Sequence, residues 1–238
     1  MTEEEQQIKQ EAEDFARANK KKIAKRLTDI SHYQPDAAPI SVFMAGSPGA
    51  GKTESSLRLI ERLVGIRNKV LRIDSDELRK EFSGYLGQNS HLFQMATSIL
   101  ADKMQDRAIS QCQNYIFDGT LSKVGRAREN IRRSLSHKRL VQILYVYQDP
   151  LQAWKHVQAR ERIDGRMIPQ ESFIDQYFQA RQSVNILKKE FGNQIQVDLI
   201  IKNIDGTDFK YKDNIQRVDD YVPERYTQDT LRSALNTI

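Results

Sequence analysis

From residue 39 onward, short apolar runs alternate with stretches of helical period. The runs cover 40–45, 69–73, 114–117, 140–147 and 195–201. Each is short enough for a strand and apolar enough for a strand buried on both faces. Between them, Leu57, Ile60 and Val64 share one helical face, and so, roughly, do Leu92, Met95, Ile99 and Met104. Val124, Ala127, Ile131 and Leu135 form an apolar stripe on an otherwise basic helix. Asp149-Pro150 reads as N-cap and first residue of a helix through Trp154 and Val157. Phe173, Tyr177, Ala180, Val184, Leu187 and Phe191 make a long stripe that stops at Gly192. Asp205-Gly206 suits a late hairpin turn, and residues 227–235 a closing helix. Alternating strand and helix predicts an α/β fold with a mainly parallel, five-stranded sheet flanked by helices.

The first 36 residues follow another pattern. Residues 2–27 read as a free-standing helix, opened by a Thr2/Glu5 capping box. Acidic residues crowd its first half and basic residues its second, which complements the helix dipole. Its apolar stripe (Ile8, Ala12, Phe15, Ile23, Leu27) is too thin for a core of its own but can pack on something. Residues 32–39, with Pro35 and Pro39, read as a linker. The expected division is a helical extension over 1–36 and one α/β domain over 37–238.

Composition removes several classes. The chain has 238 residues and a single cysteine, Cys112, read as small and half-buried, so no internal disulfide or cysteine-based zinc site forms. Four histidines (His32, His91, His137, His156) show no metal-ligand spacing. The N-terminus does not read as a signal peptide, and no run is long and apolar enough to span a bilayer, so a cytoplasmic setting without membrane contact is expected. The net charge of +5 raises the question of a polyanionic partner.

The chemistry concentrates in Gly46-Ser47-Pro48-Gly49-Ala50-Gly51-Lys52-Thr53. This is G-x-x-x-x-G-K-[ST] between a strand and a helix (54–64), the arrangement that cradles nucleotide phosphates. Loop N–H groups and the helix N-terminus face the phosphate oxygens. Lys52 would reach the β- and γ-phosphates of ATP, and the Thr53 hydroxyl would bind Mg²⁺. No guanine-reading Asn-Lys-x-Asp is present. The run ending at Asp118 continues with Gly119 where a hydrolysing ATPase has the glutamate that polarises water, which favours transfer to an acceptor over hydrolysis.

On the acceptor side, Ile73-Asp74-Ser75-Asp76 ends the second run, with Arg79 three residues on. A carboxylate at this edge can take the proton of an attacking hydroxyl. Asp76 is the candidate base, with a helix N-cap as its other reading. Asp118-Gly119-Thr120 ends the third run; Asp118 could join the Mg²⁺ shell or bind the acceptor, Thr120 could bond a substrate oxygen, and a plain turn is the alternative. Arg160, Arg162 and Arg166 surround Gly165 and suit a mobile clamp over the γ-phosphate, or else a solvated charged face.

Taken in order, these four features resemble the zeta-toxin family of P-loop kinases over about residues 40–190. The resemblance implies ATP- and Mg²⁺-dependent phosphorylation of a hydroxyl on UDP-N-acetylglucosamine or a related nucleotide sugar. It implies Asp76 as general base, Asp118 and Thr120 as substrate contacts, and Arg160 (or Arg162) with Arg166 as phosphate-binding arginines. It also implies an antitoxin partner whose helix blocks the nucleotide site, a task residues 2–27 could perform in cis; a docked extension is the plainer reading. Asp118 stands where the family has glutamate, and Ser122 where it has arginine, so both departures touch the acceptor side. The main rival is a polynucleotide 5′-hydroxyl kinase. It would use the basic helix at 123–139, with seven basic residues against one acidic. A nucleotide-gated binding protein without transferase activity is the other.

Overall fold

The structure is a computed structural model and describes residues 1–63, 69–203 and 209–237. The expected apolar position Val64 and the expected turn at Asp205-Gly206 lie outside the described residues. The elements run α1 (Glu3–Leu27), β1 (Ile40–Ala45), α2 (Lys52–Leu63), β2 (Leu71–Asp74), α3 (Ser75–Leu78), α4 (Gln94–Ser110), β3 (Tyr115–Asp118) and α5 (Val124–Ser136). They continue β4 (Leu140–Tyr147), α6 (Pro150–Asp164), α7 (Gln170–Phe191), β5 (Gln196–Lys202), β6 (Phe209–Lys212) and α8 (Gln228–Leu235).

The strands form one sheet in the order β2-β3-β1-β4-β5-β6. The first five are the expected strands, and all their pairings are parallel. A sixth strand, β6, adds antiparallel to β5. The register matters for chemistry. Asp74 at the end of β2 pairs with Asp118 at the end of β3, so both carboxylates reach the same edge of the sheet.

The two faces of the sheet are covered unequally. On one face Phe43, Ile73, Tyr115, Ile143 and Val197 pack against α4, α5 and α7 in the main core. On the other, Val42, Met44, Ile116 and Val146 meet a smaller cluster that includes Leu59 and Ile60 of α2. A third cluster joins Trp154 of α6 to Phe173 of α7 and Leu231 of α8, with ring centroids of Trp154 and Phe173 5.1 Å apart. The α7 stripe from Phe173 to Phe191 is buried throughout, as its period predicts.

Helix α1 has the Thr2/Glu5 capping box the sequence predicts. It is not free-standing. Ala12, Ala16, Ile23 and Ala24 are buried and belong to the main core, where small residues let α1 lie close to α4. The Thr28 carbonyl accepts from the side chains of Gln111 and Gln113, at 2.8 and 3.0 Å, which ties the end of α1 to the turn after α4.

Several expected apolar or half-buried positions are exposed, Leu140 at the start of β4 among them. Met95 points outward because a 3-10 turn over Ser90–Phe93 precedes α4 and breaks the helical count from Leu92. Leu57 is exposed because it faces the cleft described below. Phe15 stays 42% exposed while its ring meets Phe82 edge-on. Cys112 is exposed in the turn after α4, at a φ of 52°.

Candidate active site

The loop from Gly46 to Gly51 leaves β1 and enters α2 at the carboxyl edge of the sheet. Glycine is required at two of its positions. Gly46 has φ 133°, and a Cβ there would strike the Val146 carbonyl of β4. Gly49 has φ 73°, and a Cβ there would strike the Ala153 carbonyl of α6. The loop is therefore held between β4 and α6. Lys52 folds back onto it, donating to the carbonyls of Gly46 at 3.0 Å and Ser47 at 2.6 Å. Burial lowers the Lys52 pKa to about 8 despite the opposing pull of Asp118 and Asp76.

Asp74 is both the last residue of β2 and the N-cap of α3, accepting from the Asp76 N–H at 2.8 Å. The cap is thus Asp74, and the Asp76 carboxylate stays free to face the cleft. One Asp76 oxygen accepts from Arg79 and the other from Arg166. Burial alone would raise the Asp76 pKa; the two guanidiniums outweigh it and hold the carboxyl below its ordinary value. Asp74 behaves oppositely. Burial and the nearby Asp76 and Asp118 push it up to about 6, although Arg72 pulls it down.

Asp118 is buried and accepts from Ser56 Oγ at 3.2 Å and from Arg72 Nε and Nη2 at 3.1 and 2.7 Å. Thr120 shares a hydrogen bond with Ser122 (3.0 Å), and its carbonyl accepts from Gly46 N–H at 3.2 Å, linking the third strand's loop to the phosphate loop.

These parts line one cleft of about 820 Å³. Pro48, Gly49, Gly51, Lys52 and Thr53 form one wall, with Asp74, Asp76, Arg79, Asp118 and Thr120 beside them. Gly46, Ser47 and Ala50 shape the loop from behind. Arg160 and Arg166 reach the cleft, but Arg162 does not. The reason is helical phase: two residues apart on α6, Arg160 and Arg162 point to opposite sides, and Arg162 is exposed. No residue of 1–36 lines the cleft, so α1 is a docked element and does not block the site in cis.

Sequence reasoning missed several lining residues. Behind the lining, it also missed Arg72, which is bonded to Asp74, Glu77 and Asp118. A charged residue between Leu71 and Ile73 in a buried strand was the available signal. Ser172, Asp175, Gln176 and Gln179 form a polar stripe on α7 beside its apolar one, at positions i, i+3, i+4 and i+7. Lys123 and Arg126 line the cleft from the start of α5. Most of the arginines of that basic helix are paired within the molecule. Arg126 pairs with Asp102, Arg128 and Arg132 with Glu190, and Arg133 with Asp106. Arg139 is buried, with Nε 2.7 Å from Ser41 Oγ.

Among the described residues, no group of three or more His, Cys, Asp or Glu side chains could hold a metal unaided, and no helix is long and apolar enough to cross a membrane. A hydroxyl and a carboxylate beside a phosphate cradle suit Mg²⁺, which takes few protein ligands and completes its shell with phosphate oxygens and water. Thr53 and Asp118 fit that donor set.

A phosphate loop, an ionised carboxylate and two arginines on one cleft define a phosphotransferase of the P-loop kinase fold. The chain belongs to the Zeta toxin family, whose model matches residues 23–216. No curated protein matches its sequence. Among solved structures, it is similar to one from the PezAT chromosomal toxin-antitoxin system of Streptococcus pneumoniae, with TM-score 0.67 and 16% identity over 100% of this chain and 95% of that one. It is also similar to AvrRxo1-ORF1:-ORF2 with ATP, with TM-score 0.57 and 15% identity over 87% of this chain and 65% of that one. A chain of the Pnkp1/Rnl/Hen1 RNA repair complex matches with TM-score 0.51 and 15% identity, over 82% of this chain and 53% of that one.

Proposed function

We propose that this protein transfers the γ-phosphate of ATP to a hydroxyl of a nucleotide sugar, of the UDP-N-acetylglucosamine kind, or a related nucleotide metabolite, and acts as a zeta-type toxin. The observation that carries this reading is the ion-paired Asp76 carboxylate opening onto the same cleft as the phosphate loop. At about 820 Å³ the cleft lies high in the ~300–1,000 Å³ range of ligand pockets, with room for a nucleotide and an acceptor together.

In this reading the loop N–H groups of Gly49, Gly51, Lys52 and Thr53 and the Lys52 ammonium hold the phosphates, while Gly46, whose N–H is taken by the Thr120 carbonyl, shapes the loop. Thr53 and Asp118 would hold Mg²⁺, which when bound offsets charge on the β- and γ-phosphate oxygens. Asp76 accepts the proton of the attacking hydroxyl, and Arg160 and Arg166 stabilise charge developing on the transferred group. Arg79, buried beneath Asp76, fixes the orientation of its carboxylate. Asp74 and Thr120 bind the acceptor. Lys123 and Arg126 bring positive charge to the acceptor end, where Ser122 stands in place of the family's arginine.

The acceptor-side carboxylates support transfer over a binding-only protein. The internal pairing of the basic helix supports a small acceptor over a polynucleotide. An antitoxin protein is the partner we infer, supported by the toxin-antitoxin system to which the Streptococcus pneumoniae relative belongs. We keep the division at residue 36 as a functional one, because every described cleft residue lies between Phe43 and Gln179. The cytoplasm, which supplies ATP and sugar nucleotides, is the inferred setting.

Incubation with labelled ATP, a pool of cell metabolites and oligonucleotides, followed by mass analysis, tests the reading. Label is expected on a sugar nucleotide or related metabolite, and is lost with Lys52→Ala or Asp76→Ala. Label confined to oligonucleotide 5′ ends, or none at all, would overturn it.

A further inference from the structure

Arg72 occupies an unusual position for a strand residue. Its side chain is 11% exposed and its guanidinium meets three carboxylates. Nη2 lies 2.6 Å from Asp74, 2.7 Å from Asp118 and 3.4 Å from Thr53 Oγ1. Nη1 reaches the other way, to Glu77 at 2.7 Å. Glu77 is 59% exposed, at the outer rim of the group. One end of the guanidinium therefore sits among the phosphate-site oxygens, and the other is anchored near solvent.

The oxygens around Nη2 include the two that suit Mg²⁺, Thr53 Oγ1 and the Asp118 carboxylate. A buried carboxylate without a cation is costly. Arg72 supplies that cation from within the chain, reached through the Asp74–Asp118 register of β2 and β3. All the Arg72 bonds to Asp118 fall on one oxygen, Oδ2, and the same Nη2 faces Thr53 Oγ1, so a divalent ion held between Thr53 and that oxygen takes the place Nη2 occupies and repels the guanidinium.

We propose that Arg72 is a resident cation of the phosphate-transfer site, holding Thr53 and Asp118 until a divalent metal arrives with the nucleotide and then withdrawing toward Asp74 and Glu77. The proposal rests on the phosphotransferase reading above. Arg72 is a positioning residue in this role. It keeps Thr53 and Asp118 gathered in the absence of nucleotide, and it lowers the affinity for free metal. Metal then binds chiefly together with the triphosphate, whose own charge offsets the loss of the guanidinium.

Mn²⁺ serves as the probe, with free ion followed by electron paramagnetic resonance in the presence of a non-hydrolysable ATP analogue. Arg72→Met keeps the apolar stem and removes the charge. It is expected to tighten Mn²⁺ binding by about tenfold, because the metal no longer has to displace a like charge from Asp118. Glu77→Gln removes the outer anchor and leaves Arg72 more firmly on Asp118. It is expected to weaken Mn²⁺ binding by about threefold, as suits an exposed ion pair. Opposite shifts in the two variants support the proposal. Unchanged binding in both, or weaker binding in Arg72→Met, overturns it. Should Arg72→Met fail to fold, Glu77→Gln decides alone: weaker binding supports the proposal, unchanged or tighter binding overturns it. Analogue binding in chelator is measured alongside. If the wild type binds no nucleotide with or without metal, the phosphotransferase reading falls and takes this proposal with it. If it binds nucleotide normally and the variants do not shift, only the role of Arg72 falls.

Discussion

Arg166 donates to one oxygen of Asp76 across the cleft, although the two residues are 90 positions apart in the chain. The pair joins the loop after α6 to the start of α3. It gives Arg166 two effects in the proposed reaction. It lowers the proton affinity of Asp76, and it is available to the transferred phosphate. Arg166→Ala should therefore reduce kcat by about 10²–10³-fold, the usual effect of losing one transition-state donor. It should also move the acid limb of the pH–rate profile upward, because Asp76 loses a cation that depresses its pKa. A fall in kcat with an unmoved acid limb would refute the link between the two residues.

Lys52 makes nucleotide binding pH-dependent. In the protein alone its pKa is lowered to about 8, so above that pH it is mostly uncharged. Phosphate oxygens favour the charged form, and binding near pH 9 should take up close to one proton. Affinity should fall about tenfold per pH unit above pH 8, until the pKa of the bound state is reached. Calorimetry in two buffers of different ionisation enthalpy measures the uptake. Identical apparent enthalpies in the two buffers, meaning no proton taken up, would rule this out.

Asp74 should cost the protein stability at neutral pH. Its pKa is 3.8 as an ordinary carboxyl and about 6 in the folded chain. Between those values the folded state binds more protons than the unfolded state, so stability falls as pH rises through that window and stays lower above it. The loss is on the order of 3 kcal/mol. Asp74→Asn keeps an N-cap acceptor for α3 without the charge. The variant should match the wild type near pH 4 and exceed it at pH 8 in urea unfolding. Equal stability at both would disprove the effect.

Helix α1 is a structural part of the molecule, since Ala16 is fully buried against the main core. Ala16→Leu should overpack that contact and lower unfolding free energy by about 1–3 kcal/mol. Turnover of the folded enzyme should be unchanged, because no residue of 1–36 lines the cleft. A rise in turnover would instead reveal a regulatory role for the helix.

The parts of the site readable from the chain were those whose chemistry is local. The Gly46–Thr53 loop needs only its own glycines and flanking elements, and the strand ends at Asp74 and Asp118 carry their carboxylates in plain sight. Arg72 was hidden because its meaning depends on strand register: only the pairing of β2 with β3 brings it onto Asp118. The choice between Arg160 and Arg162 depended on the phase of α6 relative to the cleft. Periodicity described α7 well because that helix is long and regular, and misplaced Met95 because a 3-10 turn sits just upstream. The thin stripe of α1 suggested independence because alanines carry little hydrophobic signal, yet small side chains are what permit its close approach to α4.

The close approach of the Val146 carbonyl to Gly46 and of the Ala153 carbonyl to Gly49, which leaves no room for a Cβ, has a thermodynamic consequence. A phosphate loop that had to become ordered around its ligand would sacrifice about 1–2 kcal/mol of backbone entropy for each residue it fixed. Here β4 and α6 already hold the loop in shape, so that loss is incurred on folding and not on binding. Affinity for a triphosphate then depends partly on two backbone carbonyls outside the loop, and the cradle behaves as a preformed socket.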